Sequence, residues 1–517
     1  MSYWALVSAP EMNTTEYRAQ FATFNSALEL ARYQQHVGCE PEFRIDRLRA
    51  DYSDLFSPGA LTDLQSQIDD SRVESEAAGL RGLLSAARLE RVELQAHEAT
   101  RELAGCESSI RLEWNGEPVS LDNISFHLAR EARKSRRDEL ARRWSDVVSA
   151  CDDLRLTRLQ LLHDAAGNLG FRSYGDLIAE ATRTNLIQVR HDAGGLLKET
   201  ETIHRLARAR VVTGELAAVP SSELSFADLV YLERLPWLDK SFSARNWLMV
   251  YSETMGQLGI RIDKQPNIQV VLANPSAQGR PAACFPLNPP HDVRLIFSAR
   301  RGAHETACSL HAAGLAQQHA WCSKDLADRH PEFVYSRDAA TNQSYGWLFS
   351  FLLLETKWIE EFLSPISADH ASDLARDVAA LLALRVRRLA AETVYAMLLH
   401  AAGRPSPEQL QAAFVDLQTE ATGFQFSPAL FLLDLHEWIS SASQLRAFAF
   451  AAGLREYLRV RYGSRWWVSR KAGDELIDLW NTGSRYPVEE LAQLIGFEIS
   501  FELVAELLVT TMGGAKQ

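Results

Sequence analysis

The chain has 517 residues, a formal net charge of −13 at pH 7, and 46% hydrophobic against 23% charged residues. This composition is too apolar for a disordered chain and allows a sizeable core. The acidic balance repels phosphate backbones, which argues against nucleic acid as a partner.

The six cysteines are scattered along the chain without a Cys-x-x-Cys pair, which argues against a disulfide framework and against a zinc ribbon. They are Cys39, Cys106, Cys151, Cys284, Cys308 and Cys322. No basic segment followed by a long apolar run opens the sequence, and no apolar run approaches the roughly 20 residues that span a bilayer. We therefore expect a cytoplasmic protein without membrane insertion.

Helical periodicity dominates residues 15–216, with one predicted interruption near 110–120. There, Asn115-Gly116 lies between two stretches that alternate in polarity, the pattern of a short β-hairpin. A basic stretch over 130–143 is interleaved with acidic residues, which predicts a solvated helix face with internal ion pairs.

A loop-rich segment around 220–240 is the predicted boundary between an N-terminal helical lobe, 1–219, and a second lobe, 220–517. In the second lobe, strand-like runs within 266–298 are punctuated by prolines, so they predict a small sheet with at least one edge strand. Helical patterns follow from residue 303 to the end. The fold class is therefore predicted to be mainly α, with one small sheet directly before a long helix.

A sheet followed by a histidine-bearing helix is the arrangement of zinc peptidases, in which H-E-x-x-H places two ligands on one helical face beside a general base. In RRGAHETACSLHAAGLAQQHAWCS, one register puts His304, Cys308 and His311 at i, i+4 and i+7, within about 60° of one another. Glu305 would then be the base and Asp338 an acidic ligand. The alternative interpretation is an ordinary helix start with an exposed His-Glu pair and a buried cysteine.

A second register comes from a resemblance. The stretch GRPAACFPLNPPHDVRLIFSARRG, followed by SLHAAGLAQQHAW, resembles the H-E-A-G-H segment of thimet-oligopeptidase and oligoendopeptidase-type zinc peptidases. Matching the Ala-Gly pair places the motif on residues 311–315. The resemblance then implies that His311 is the first ligand, that Ala312 replaces the base glutamate, and that Leu315 replaces the second histidine.

The resemblance continues downstream. EFVYSRDAATNQSYGWLFSFLLLE is similar to the family segment that carries the third ligand, and Gln343 occupies the position of its glutamate. In the closing helices, the positions of the tyrosines that assist the tetrahedral intermediate fall on Ser440 and Gln444. The family resemblance covers most of the chain and implies a zincin-like, two-lobed helical ellipsoid with a central channel.

Alanine and leucine cannot bind zinc or take a proton, and glutamine is a poor, neutral ligand beside a carboxylate. With only His311 left, we expect neither tight zinc binding nor another cofactor. The resemblance therefore implies a non-catalytic homologue, a pseudopeptidase that acts as a scaffold for a peptide or protein partner. Two alternatives stay open: an active zinc oligopeptidase with a variant site at His304, Glu305 and Cys308, and a structural subunit whose channel is closed.

Overall fold

The computed structural model describes residues 13–38, 44–242, 247–273, 280–298, 300, 302–363, 366–433 and 439–513. The first part of the chain is a series of helices: α1 (Thr14–Val37), α2 (Arg44–Asp51), α3 (Pro58–Asp70), α4 (Glu74–Gln95) and α5 (His97–Ser109). The side chain of Asn13 caps the first turn of α1, and Ser57 caps α3, which begins with a proline.

The predicted hairpin is confirmed. It consists of β1 (Arg111–Trp114) and β2 (Glu117–Ser120), which pair antiparallel. Asn115 and Gly116 both have positive φ, 55° and 81°, as a two-residue hairpin turn of this type requires.

Six helices follow the hairpin: α6 (Ile124–Leu128), α7 (Lys134–Val148), α8 (Asp152–Asn168), α9 (Tyr174–Ala181), α10 (Leu186–Glu199) and α11 (Glu201–Val211). Residues 134–143 of the basic stretch lie in α7, and the exposed side of this helix carries predicted ion pairs, including Arg142 with Asp146. Arg137 departs from that prediction, because it is fully buried and binds Asp228 at 2.8 Å. The helical pattern predicts which face of α7 is charged, but it does not predict that Asp228 packs against Arg137 on that face.

The argument against disulfides is wrong at one pair. Cys106 of α5 and Cys151, just before α8, form a disulfide with their Cα atoms 6.1 Å apart. They lie 45 positions apart in the sequence, and the packing of the helices between them brings them together. A disulfide that closes a loop of this length contributes about 2–4 kcal/mol to stability.

The small sheet is also confirmed. After α12 (Phe226–Leu232) and α13 (Trp247–Gln257) come three strands, β3 (Ile268–Leu272), β4 (Ala283–Asn288) and β5 (Asp292–Phe297). Their order is β3-β5-β4, with β3 parallel and β4 antiparallel to β5. Pro286 therefore lies on an edge strand, where a missing N–H is tolerated. Residues 274–279, inside the predicted range, lie outside the described residues.

The remaining helices carry the predicted motifs: α14 (Ala303–Trp321), α15 (Lys324–Arg329), α16 (Ala340–Ser350), α17 (Thr356–Phe362), α18 (Ala368–Leu399), α19 (Pro407–Thr422), α20 (Ser440–Tyr462), α21 (Arg470–Asn481), α22 (Val488–Ile495) and α23 (Phe501–Met512). The largest core cluster runs from Ala193 to Leu508 and therefore includes side chains of α10 and α11. The mainly α fold class is confirmed, while the division at residue 219 remains a prediction.

None of the helices within the described ranges combines the length and the apolarity that crossing a membrane requires.

Candidate functional site

Helix α14 directly follows the sheet and presents one partly accessible face. His304, Cys308, His311 and Leu315 recur at helical spacing, and all four are half-buried. Most residues between them, including Ala312, are buried. The face that sequence analysis singled out is therefore the face of α14 that does not enter the core.

Two of the positions implied by the family resemblance touch each other. His311 Nε2 lies 2.7 Å from Gln343 Oε1, although the two residues are 32 positions apart in the sequence. The close approach of α14 and α16 depends on Gly346, since a Cβ at that position would lie 2.6 Å from the His311 ring. Gln343 thus occupies the place beside His311 that a further metal ligand would need.

A third predicted position joins this cluster through Trp347. The Trp347 ring meets His311 edge to face with centroids 5.1 Å apart, and its Nε1 donates a hydrogen bond of 3.0 Å to Gln444 Oε1. The guanidinium of Arg385 lies 4.7 Å from the centre of the same ring. The structure thus brings together His311, Gln343 and Gln444.

Three other predicted positions are placed as follows. Ala312 is 2% exposed and faces the core. Leu315 lies one turn after His311 on the half-buried face, where a second histidine would stand in H-E-x-x-H. Ser440 is the first residue of α20, one turn before Gln444.

Sequence reasoning missed Trp347 and Arg385 as members of the cluster. Trp347 lies in the largely apolar stretch 347–354, a pattern that predicts core packing and not a place beside His311. Arg385 lies in the middle of the long helix α18, where nothing in the local pattern distinguishes it from other surface-directed arginines.

The first register, in which His304, Cys308 and His311 would be metal ligands, contains one close pair. His304 Nε2 and Cys308 Sγ are 3.5 Å apart. Its other proposed members point elsewhere, because Glu305 binds Arg130 at 2.7 Å and Asp338 binds Arg446 at 3.1 Å. Within the described residues, no three His, Cys, Asp or Glu side chains converge in a way that could hold a metal ion.

The histidines of α14 have different electrostatic surroundings. The charge of Cys308 raises the pKa of His304 to about 8, against the effect of burial. Burial alone would raise the pKa of Cys308, but the charge of His304 and their hydrogen bond hold it below its ordinary value. Burial lowers the pKa of His311 to about 4, and the positive charge of Arg385 adds to that effect. His311 is therefore neutral at pH 7.

The depressed pKa of His311 predicts a pH dependence of stability. Unfolded histidine titrates near 6.5, so the unfolded chain takes up this proton first as the pH falls. The contribution of neutral His311 is fully present above pH 6.5 and is lost as the pH falls toward 4. We expect the free energy of unfolding of wild type to decrease over this interval more than that of His311→Gln, as measured by urea denaturation.

The control is His191→Gln, because the His191 side chain is 82% exposed. Its stability profile should be parallel to that of wild type. Parallel profiles for His311→Gln and wild type would contradict the assignment of a buried, neutral imidazole.

Two larger cavities lie between elements from both halves of the sequence. One, of about 720 Å³, is lined by α10, α22 and the start of α23. The other, of about 650 Å³, is lined by α4, by residues 332–337 and by residues 484–486. The two share Arg183 and Glu490 and are therefore adjacent; together we call them the inter-helix groove.

No family model and no curated protein matches this chain. Solved structures do match, and one of them is a "putative oligoendopeptidase F" from Bacillus anthracis str. Ames, with a TM-score of 0.63. The match covers 98% of this chain and 96% of that chain. The fold is similar to that of oligoendopeptidase F. At 12% identity, this oligoendopeptidase-like fold is what the comparison shows, and it agrees with the fold expected from the sequence motifs.

Proposed function

We propose that the protein is a non-catalytic counterpart of the oligoendopeptidases that binds a peptide or a protein partner. The observation that carries this proposal is the contact between His311 Nε2 and Gln343 Oε1 at 2.7 Å. In the register of the family motif, Ala312 stands at the position of the base glutamate, and Leu315 stands at the position of the second histidine ligand.

These residues do not fit a zinc ion. A carbonyl oxygen accepts hydrogen bonds, so Nε2 of neutral His311 carries the hydrogen that points to Gln343 and has no lone pair free for a metal. Ala312 and Leu315 offer no donor atom. A site without two ligands and without a base cannot activate water for peptide hydrolysis.

Binding, in contrast, needs only the groove. The inter-helix groove offers two cavities within the size range of ordinary ligand sites. Its shared residues, Arg183 and Glu490, present charges of both signs to a bound chain. We therefore assign peptide or protein binding to this groove.

Filling the groove tests this assignment. No atom lies within 4 Å of the position that a Cβ would take at Gly195, which lines the larger cavity. We expect Gly195→Trp to weaken the retention of peptides from a tryptic digest by immobilised protein at least about tenfold, because loss of one anchor cavity costs more than 1.4 kcal/mol.

The matched control is Gly194→Trp. Gly194 is the preceding residue of α10, has equally open surroundings, and is not among the residues that line the groove. Retention by this variant should equal that of wild type. Equal retention by Gly195→Trp and wild type would exclude the groove as the binding site.

The absence of catalysis is tested separately. Incubation of the wild-type chain with the same peptide digest, with and without added zinc, should leave every peptide intact by mass spectrometry. Cleavage that a chelator abolishes would overturn the proposal in favour of an active metallopeptidase.

A further inference from the structure

A smaller cavity, of about 260 Å³, lies at the N-terminal end of α14, and its lining residues differ from those of the inter-helix groove. Its walls come from α6 and the residues after it, from the end of α12, and from the residues around β5 and α14. Its charged lining groups include Arg130, Arg234, Arg300, Glu305 and Asp122. We call this space the α14 cavity.

One side of the α14 cavity is rich in positive charge. The guanidinium carbons of Arg130 and Arg300 lie 4.1 and 4.4 Å from the centre of the Phe126 ring. Burial lowers the pKa of Arg130, and the charges of Arg300 and Arg234 lower it further, although the charge of Glu305 opposes them. A negatively charged ligand group would therefore be favoured between these arginines.

On the positively charged side of the α14 cavity, one hydrogen-bond donor lacks an acceptor. Arg234 binds Asp239 at 2.8 Å through one terminal nitrogen, and its side chain is only 17% exposed. Its Nε is buried and has no partner among the described residues. A buried donor without an acceptor is costly, so an oxygen atom of a ligand would satisfy it.

On the opposite side of the cavity, a hydrogen-bond acceptor lacks a donor. The Glu305 side chain is 6% exposed, and Oε1 accepts a hydrogen bond of 2.7 Å from Arg130. Its second oxygen, Oε2, is buried and lacks a partner within the described part of the chain. This oxygen needs a hydrogen-bond donor, which an anion without an O–H or N–H group, such as sulfate, cannot supply.

We propose that the α14 cavity binds a small zwitterion, a free α-amino acid or a dipeptide. The ligand carboxylate lies against Arg130, Arg234 and Arg300, and its ammonium group pairs with the carboxylates of Glu305 and Asp122 that line the cavity. A simple oxyanion such as phosphate would satisfy the arginines but would face the carboxylates of Glu305 and Asp122, which also line the cavity.

The size of the cavity agrees with this class of ligand. Its volume lies just below the roughly 300–1,000 Å³ of sites for drug-sized molecules, so a long peptide does not fit inside it. The inference goes beyond the proposed function and does not depend on it, since the inter-helix groove is lined by other residues.

Isothermal titration calorimetry on the full chain tests the inference. The probes are the free amino acids, one at a time, and the dipeptide Ala-Ala. At least one of them should bind, and its N-acetylated and C-amidated derivatives should each bind at least about tenfold more weakly, because each loses one of the two charges. Comparison of the free amino acids with Ala-Ala identifies which form of the zwitterion binds.

Two variants locate the site. Arg234→Gln and Glu305→Gln should each weaken binding of the best probe at least about tenfold. Arg329→Gln and Glu98→Gln make the same chemical changes at side chains that are both 68% exposed, and they should leave binding unchanged. Thermal unfolding shows whether each variant is folded, and Arg234→Gln preserves the ion pair of Glu305 with Arg130.

Three results would overturn the inference: no heat from any zwitterion, equal affinity for the blocked derivatives, or unchanged binding in both cavity variants. Competition by phosphate together with tight binding of the N-acetylated probe would show a simple anion site instead. Loss of peptide retention in the inter-helix groove would not affect these outcomes.

Discussion

The double variant Leu315→His, Gln343→Glu is expected to bind about one zinc ion per chain, whereas wild type binds well below one. His311 and position 315 lie one helical turn apart on the half-buried face of α14. Position 343 already touches His311, at 2.7 Å. The two substitutions supply a second imidazole and a carboxylate where the fold holds them against the first imidazole. Elemental analysis of dialysed protein measures the result.

Two controls distinguish the register on residues 311–315 from the register on His304 and Cys308. The single variant Gln343→Glu should remain low in zinc, because two ligands are too few for tight binding. Cys308→His creates a pair of histidines with His304 instead and should also remain low. Zinc in Cys308→His, with none in the double variant, would show that the family motif has been aligned to the wrong turn of α14.

The second large effect concerns Asp338, the acidic ligand of the alternative metal site. Arg446 binds both of its oxygens at 3.1 Å, and its Oδ1 also caps the backbone N–H of Ala340 at 3.0 Å. Both charged side chains are buried, with 6% and 3% exposure. Asp338→Ala should therefore lower the free energy of unfolding by about 2–3 kcal/mol, since Arg446 loses two buried hydrogen bonds to a carboxylate and keeps only its pair with Glu489.

Chemical denaturation measures this loss, and Asp325→Ala is its control. Asp325 pairs with Arg329 on the surface, where the two side chains are 70% and 68% exposed, so its removal should cost about 0–1 kcal/mol. Equal, small losses in both variants would contradict the structural role of Asp338. A loss of bound metal in Asp338→Ala would instead support the alternative site.

The sequence predicted the features that depend on local chemistry. Asn115-Gly116 forces a hairpin because both residues tolerate positive φ, and the proline-punctuated runs around 283–297 form edge and central strands as expected. His311 and Gln343, two positions that the family resemblance assigns to one site, are in contact, and their role in a site stays a prediction.

Other features depend on tertiary neighbours and left no local signal. Helical periodicity shows which face of a helix is apolar but not what packs against it. The ion pair of Arg130 with Glu305 joins residues 175 positions apart, and the disulfide of Cys106 with Cys151 spans 45. Arg385 reaches the His311 cluster from α18 for the same reason.

The metal content of the wild-type chain tests the central claim most directly. The protein is purified without added zinc, and its metal-to-protein ratio is measured by elemental analysis. The account predicts a ratio well below one, because His311 is held by Gln343, which stands at the third ligand position, and Leu315 replaces the second ligand. A ratio near one zinc per chain, lost on changing Cys308 to serine, would contradict it.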